Sequence, residues 1–291
     1  MNQHFLLAFT AMTAFALNSL FCRFALGSEL IDPAGFTFIR LVSGSATLMI
    51  LSYLLSKRRK NQASDTVTRS QSMSLGLSLF GYALLFSYAY ITLDAGTGAL
   101  ILFGTVQLTL IAYHQVSGHH ISKPEWLGVV IAITGFASLL LPSASQPSII
   151  GTSLMILSGI CWSLFTVLGT KVTSPILATK HGFLVASGFM TVYFGGNLLI
   201  HTESVQFSTS GILYATLSGS VASAVGYFLW YSLLPKIDVL DASLLQLTVP
   251  VIAIFLGWLF IDETMSAMSI LSTCLILGGI GLVSWFKLQR I

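Results

Sequence analysis

Two stripes of small and polar residues interrupt a sequence otherwise dominated by aliphatic side chains. Ser243, Gln246, Pro250, Ala253 and Gly257 step by three or four residues, and Thr97, Gly104, Gln107 and His114 step by multiples of the same turn. Each set therefore shares one face of a helix. Such a stripe offers no activated nucleophile. Its amides and hydroxyls can hydrogen-bond a solute, or a neighbouring helix at about 0.6 kcal/mol per contact in membrane proteins. A third set aligns Ala14, Asn18 and Cys22 with Ser158, Trp162 and Thr166, and rings gather in two further segments, Tyr82, Phe86, Tyr88 and Tyr90 in one and Tyr227, Phe228, Trp230 and Tyr231 in the other. The candidates for lining a solute cavity are Asn18, Tyr82, Phe86, Gln107, Trp162, Tyr227, Tyr231 and Gln246. Tyr90 and Trp285 sit near segment ends and read as interfacial anchors.

Two basic residues fall inside apolar segments. Arg40 lies about eight residues into its own, where a cation costs on the order of 2.5–3.5 kcal/mol on insertion scales. It needs a partner. Either its stem snorkels to the surface toward Glu29 or Asp32, or it is the counter-ion of a solute carboxylate. Arg23 is closer to a segment end and reads as an anchor. His114 is a candidate for gating or proton coupling, because histidine ordinarily titrates near neutral pH. Pro250 is a third gating candidate, since it removes a backbone donor at the centre of its helix and should leave the fourth helix straighter than the ninth. No Asp or Glu lies deep in any segment, so a carboxylate proton relay is hard to build. HExxH and paired deep aspartates are both missing, so no catalytic residue is assigned and the chain is not expected to be an enzyme. Cys22, Cys161 and Cys274 lack ligand spacing and read as small core hydrophobes. His119-His120 beside Lys123 makes a poor metal site, and no metal or cofactor is expected.

Long apolar elements must hold these residues, and the composition supplies them. The 291-residue chain is 55% hydrophobic and only 8% charged, with a mean hydropathy of +0.87, against roughly 25% charged in soluble domains. It is an integral membrane protein. Apolar runs of about twenty residues without alternation, such as Ile149 to Gly169 and Ala242 to Ile261, fit helices and not barrel strands. Ten spans are expected, at 4–26, 33–56, 74–92, 96–116, 124–142, 149–170, 180–200, 210–234, 240–260 and 267–287. The first has no basic residue before it and is too long for a signal core, so it should be retained.

With the N-terminus in the cytoplasm, the inner connections and the C-terminus collect Lys57, Arg58, Arg59, Lys60, Arg69, Lys123, Lys171, Lys180, Lys236, Lys287 and Arg290. The outer connections hold no Lys or Arg, but carry Glu29, Asp32, Asp94, Glu203, Asp262 and Glu263. Both termini are expected to be cytoplasmic. Connections are short except Lys57 to Ser72, a polar stretch that reads as a solvated anchor. The net charge of +3 gives no reason to expect nucleic acid as a partner.

Sliding the sequence over itself by about 144 residues places Ser19-Leu20-Phe21 on Ser163-Leu164-Phe165 and Ser43-Gly44 on Ser187-Gly188. The same shift pairs Thr47 with Thr191 and Gly135 with Gly279, and one residue less pairs Ala99 with Ala242 and Gln107 with Pro250. The halves, residues 1–145 and 146–291, hold five spans each. Five is odd, so the second half enters from the opposite face. The fold class is all-α, a polytopic membrane protein of ten transmembrane helices in two inverted five-helix repeats, an arrangement typical of secondary transporters with a site at the repeat interface.

The stretch from Pro250-Val251 through Gly257 and Asp262-Glu263-Thr264-Met265-Ser266 to Gly278-Gly279-Ile280-Gly281 resembles the second half of EamA-type members of the drug/metabolite transporter superfamily. Their pattern is a proline in the ninth helix, Gly-Glu at the next loop and a glycine-bearing last helix. Gly128 and Gly135 repeat the plan more weakly. The first half departs from it, with Gln107 for the proline, His114 opposite Gly257 and His119-His120 for Gly-Glu. The resemblance spans 4–287. It implies a cavity lined by the first, third, fourth, sixth, eighth and ninth helices, in a permease of the bacterial inner membrane, and it alone supplies an outward direction.

The expected solutes are small amphipathic metabolites, amino acids among them, because aromatic faces and amides are mixed with few deep charges. Rival readings are an importer of sugar-type or phosphorylated metabolites, which should show several deep Lys or Arg, and a non-transporting scaffold or sensor. The expected partners are a small-molecule substrate and the lipid bilayer, with a homodimer left open.

Overall fold

The computed structural model describes residues 3–56, 67–118, 122–139, 147–172, 174–200, 206–233, 245–264 and 266–289. Ten helices run through them: α1 (Gln3–Gly27), α2 (Pro33–Ser56), α3 (Arg69–Ala89), α4 (Ala95–Val116), α5 (Lys123–Leu139), α6 (Ile149–Gly169), α7 (Pro175–Ile200), α8 (Thr209–Leu233), α9 (Thr248–Ile261) and α10 (Ala267–Leu288). By length and composition α1 to α4 and α6 to α8 can each cross a membrane, and Thr248–Ile261 and Ala267–Val283 are shorter apolar stretches. The expected boundary near residue 145 lies outside the described residues.

Local chemistry sets the helix starts. α3 begins five residues before the expected 74, because Thr68 and Gln71 form a capping box that satisfies the first backbone donors. α7 likewise starts at Pro175, whose fixed φ suits a first helical position. α5 opens on a reciprocal Ser122–Glu125 box, and the hydroxyls of Ser148 and Ser208 cap α6 and α8. Hydropathy is blind to caps, which explains the early starts.

Exchanging α1–α5 for α6–α10 preserves the most extensive helix pairings. α2 packs on α7, α4 on α9 and α5 on α10, each pair being its own image. α3 packs on α6 as α8 does on α1, α3 on α7 as α8 does on α2, and α4 on α6 as α9 does on α1. The chain is thus two inverted five-helix repeats. Side-chain detail follows the exchange. Thr47 Oγ1 donates to the Ser43 carbonyl at 2.9 Å, and Thr191 Oγ1 to the Ser187 carbonyl at 2.8 Å.

Between α5 and α10 the backbones nearly touch. A Cβ on Gly128 would lie 2.5 Å from the Gly279 carbonyl oxygen, and one on Gly279 2.6 Å from that of Gly128. Small residues permit this approach, the main source of helix cohesion in lipid. Within the Gly278–Gly281 run only Gly279 packs in this way, while Gly278 and Gly281 border open space. Large apolar side chains such as Leu157, Leu164, Phe255 and Trp258 stay exposed, as a lipid-facing surface requires.

Candidate functional site

Five helices, three from the first repeat and two from the second, surround a central cavity of about 20 Å³. Its walls are Phe15, Asn18 and Ser19 of α1, Tyr82 and Phe86 of α3, Leu102 and Phe103 of α4, Trp162 of α6 and Tyr227 of α8. That volume holds about one water molecule. A solute larger than water enters this space only after its walls part.

Aromatic rings form most of the wall. Trp162 bridges the repeats, with ring centroids 4.8 Å from Tyr82 and 5.0 Å from Tyr227. Tyr82 also meets Phe86 at 5.4 Å, and Phe15 meets Tyr227 edge-on at 5.5 Å. α6 is fixed to α3 where Ser158 Oγ donates to the Tyr82 carbonyl at 2.9 Å.

A chain of polar contacts runs along one side. Ser218 Oγ donates to Asn18 Oδ1 at 2.5 Å, and Asn18 Nδ2 donates to the Tyr82 hydroxyl at 3.4 Å. Arg40 Nη2 donates to that same hydroxyl at 3.0 Å, and Arg40 Nε reaches Ser223 Oγ at 3.4 Å. Arg40 is 1% exposed, and its Cζ lies 4.9 Å from the Phe86 ring centroid and 5.2 Å from that of Tyr82. The snorkelling expectation is overturned. Arg40 turns inward, away from Glu29 and Asp32, because hydroxyls and ring faces at the bundle centre receive it.

α8 makes this possible by changing its winding. Ser218–Val225 is a π-helical segment within it. In an α-helix residues five apart point about 140° away from each other, whereas i→i+5 hydrogen bonding brings them onto one face. Ser218 and Ser223 therefore both face inward, one toward Asn18 and the other toward Arg40. Gly219 lets the segment come close, since a Cβ there would overlap the Arg40 carbonyl oxygen and Ser43 Oγ.

Of the residues expected at the site, Asn18, Tyr82, Phe86, Trp162 and Tyr227 come together on the cavity. Gln107 and Tyr231 lie one turn beyond Phe103 and Tyr227 on the same helix faces, buried and half-buried respectively. Gln246 is half-buried on the turn before α9, and α9 itself adds no residue to the described lining. His114 belongs to α4, but its side chain lies outside the described residues, as do His119, His120 and Ser243. Phe15 could have been found from its spacing of three before Asn18. Ser19, Leu102 and Phe103 carry no comparable signal, because a small or aliphatic residue facing a cavity looks like one facing a neighbour.

Pro250 follows a break in the helix: Leu245 and Gln246 are helical, Leu247 interrupts, and α9 runs on from Thr248, because the proline cannot donate to the Gln246 carbonyl and its ring crowds that group. α4, with Gln107 in place of proline, is continuous over 22 residues.

The end of the bundle where α1 terminates carries a second constellation. Arg23 Nε pairs with Glu263 Oε1 at 2.9 Å, and its Nη2 with Asp94 Oδ1 at 3.5 Å. Arg23 Nη1 also donates to the Tyr90 and Ile91 carbonyls, and Glu263 Oε2 accepts from the Ala95 N–H at 2.8 Å. Arg23 is thus a cross-link and not a lipid anchor. Asp262 aims the carboxylate inward by adopting a left-handed φ of 56° where the family pattern has glycine. Burial pushes the Glu263 carboxyl above its ordinary range, more than the hydrogen bond from Arg23 lowers it. Tyr90 also departs from expectation. It is fully buried, with its hydroxyl on the Ala95 carbonyl at 3.3 Å. Cys22 is buried as expected, whereas Cys274 is exposed.

The profile of the family described as "EamA-like transporter family" matches residues 3–141 and 149–285. A Pseudomonas aeruginosa protein described as "Uncharacterized protein PA1977" is 40% identical over 285 residues, covering 98% of this chain and 96% of its own length. An Archaeoglobus fulgidus "Uncharacterized transporter" is 25% identical over 90% of each chain. The Escherichia coli K12 "Probable amino-acid metabolite efflux pump" is 24% identical over 71% of this chain and 73% of its own. A crystal structure at 16% identity superposes over 99% of both chains with a TM-score of 0.67, a likeness of fold.

Proposed function

The chain belongs to the EamA-like transporter family, and we propose that it moves small amphipathic metabolites, amino acids among them, out of the cell by alternating access at the cavity between its repeats. The observation that carries this reading is the joint construction of the cavity. Asn18 and Tyr82 of one repeat and Trp162 and Tyr227 of the other face a single space, so motion between the repeats opens and closes it. Aromatic walls take the apolar part of a solute, and the Asn18 amide and Tyr82 hydroxyl its polar part. The relative named as a probable amino-acid metabolite efflux pump supports both class and direction.

In the same reading the bacterial inner membrane holds the protein with both termini cytoplasmic, following the basic residues of the inner connections. The Arg23–Glu263 end then faces outward. The test is flux of labelled amino acids in proteoliposomes, with protein inserted to equal yield. Solute movement that Trp162→Ala lowers supports the reading, and absence of movement for every solute tried refutes it.

A further inference from the structure

Arg40 poses a problem that its neighbours do not solve. Arginine keeps its charge in proteins, and this one is 1% exposed near the bundle centre, yet no carboxylate pairs with it among the described residues. What surrounds it is weaker. Nη2 has a hydroxyl it shares with Asn18, Nε has a long contact to Ser223, Nη1 has no protein partner among the described residues, and two ring faces complete the shell. A neutral side chain of similar volume would hold three helices together as well. A buried cation with a donor that no described protein group satisfies is suited to an anion that arrives and leaves.

Resting on the transport reading above, we propose that Arg40 is the receptor for the carboxylate of the transported solute. The guanidinium fork matches a carboxylate's two oxygens, so the solute's carboxylate takes Nη1 and displaces the Tyr82 hydroxyl from Nη2. Tyr82 and Phe86, whose rings contact the guanidinium, also line the cavity, and the cavity must widen for any solute. The same movement therefore uncovers the cation. Trp162 and Tyr227 then enclose the apolar body. No acidic side chain is among the described residues lining the cavity, so nothing there selects for an ammonium group. The preferred class is a small monocarboxylate with an apolar or aromatic body, for which an α-amino group is dispensable.

The test compares four labelled probes of one shape in proteoliposomes: phenylalanine, 3-phenylpropionate, phenylalaninamide and phenethylamine. The two carboxylates are expected to move at least about tenfold faster than the amide and the amine. Arg40→Gln should abolish that preference, and Arg40→Lys should restore part of it, whereas a purely structural role would change yield and stability without touching the ratio. Amide or amine moving as fast as the acids overturns the assignment and leaves transport standing, as does Arg40→Gln protein that keeps the acid preference. Failure of all four probes to move removes the transport reading and the assignment with it. Should Arg40→Gln not reach the membrane, the wild-type ratio of acid to amide decides alone.

Discussion

Arg23 and Glu263, 240 residues apart in sequence, meet at 2.9 Å and join the end of α1 in one repeat to the loop after α9 in the other. Their side chains are only 21% and 13% exposed, so salt screens this pair less than a surface one. Glu263→Gln keeps an acceptor for the Ala95 N–H but loses the charge opposite Arg23. It should loosen this end of the bundle. In a background without the native cysteines, Ser19→Cys is expected to react at least about threefold faster with an impermeant maleimide once Glu263→Gln is added. Equal labelling would show that the pair does not close that end.

The same carboxylate should leave a mark on stability. Its folded-state pKa is raised above the ordinary 4.5, so folding favours the protonated form. That contribution is complete below 4.5 and disappears as the pH rises through the raised value. The thermal midpoint of the wild type should therefore fall relative to that of Glu263→Gln across this interval. Parallel curves in detergent from about pH 4 to about pH 7 would contradict the shift.

Trp162→Ala removes the ring that bridges Tyr82 and Tyr227, and should lower amino-acid flux about tenfold at unchanged yield, the equivalent of about 1.4 kcal/mol. Gln107→Ala acts one turn farther along its helix and should lower flux less. Normal flux in both variants would remove the cavity assignment.

Gly219→Ala places a methyl against the Arg40 carbonyl and the Ser43 hydroxyl, a backbone clash expected to cost about 1–3 kcal/mol. Gly278→Ala meets open space and should be neutral or slightly stabilising, since alanine favours helix by up to about 1 kcal/mol. Unfolding in detergent micelles distinguishes the two, and equal midpoints would refute the close approach of α8 to α2.

Much of the fold was legible because lipid imposes a simple rule: long apolar runs must satisfy their own backbone. Spans follow from hydropathy, the internal repeat from residue matches at an offset of about 144, and its inversion from the odd number of spans in each half. Five cavity residues were legible for a related reason. Asn18, Tyr82, Phe86, Trp162 and Tyr227 are polar or aromatic groups far from span ends, where lipid contact is costly or unhelpful.

Direction and partnership were decided only in three dimensions. Arg40 has a stem long enough to reach the surface or the centre, and helix rotation within the bundle selected the centre. Arg23 and Tyr90 looked like interfacial groups by position, yet α4 and the loop after α9 cover them. The π-helical turn of α8 has no periodic signature, and its Gly219 meets the Arg40 carbonyl of a helix far away in the chain. Sequence determined which segments enter the membrane and how they repeat, because hydrophobicity is a property of each segment alone. Tertiary structure decided where the buried charge points and what it touches, because that depends on side chains brought together from helices distant in the chain.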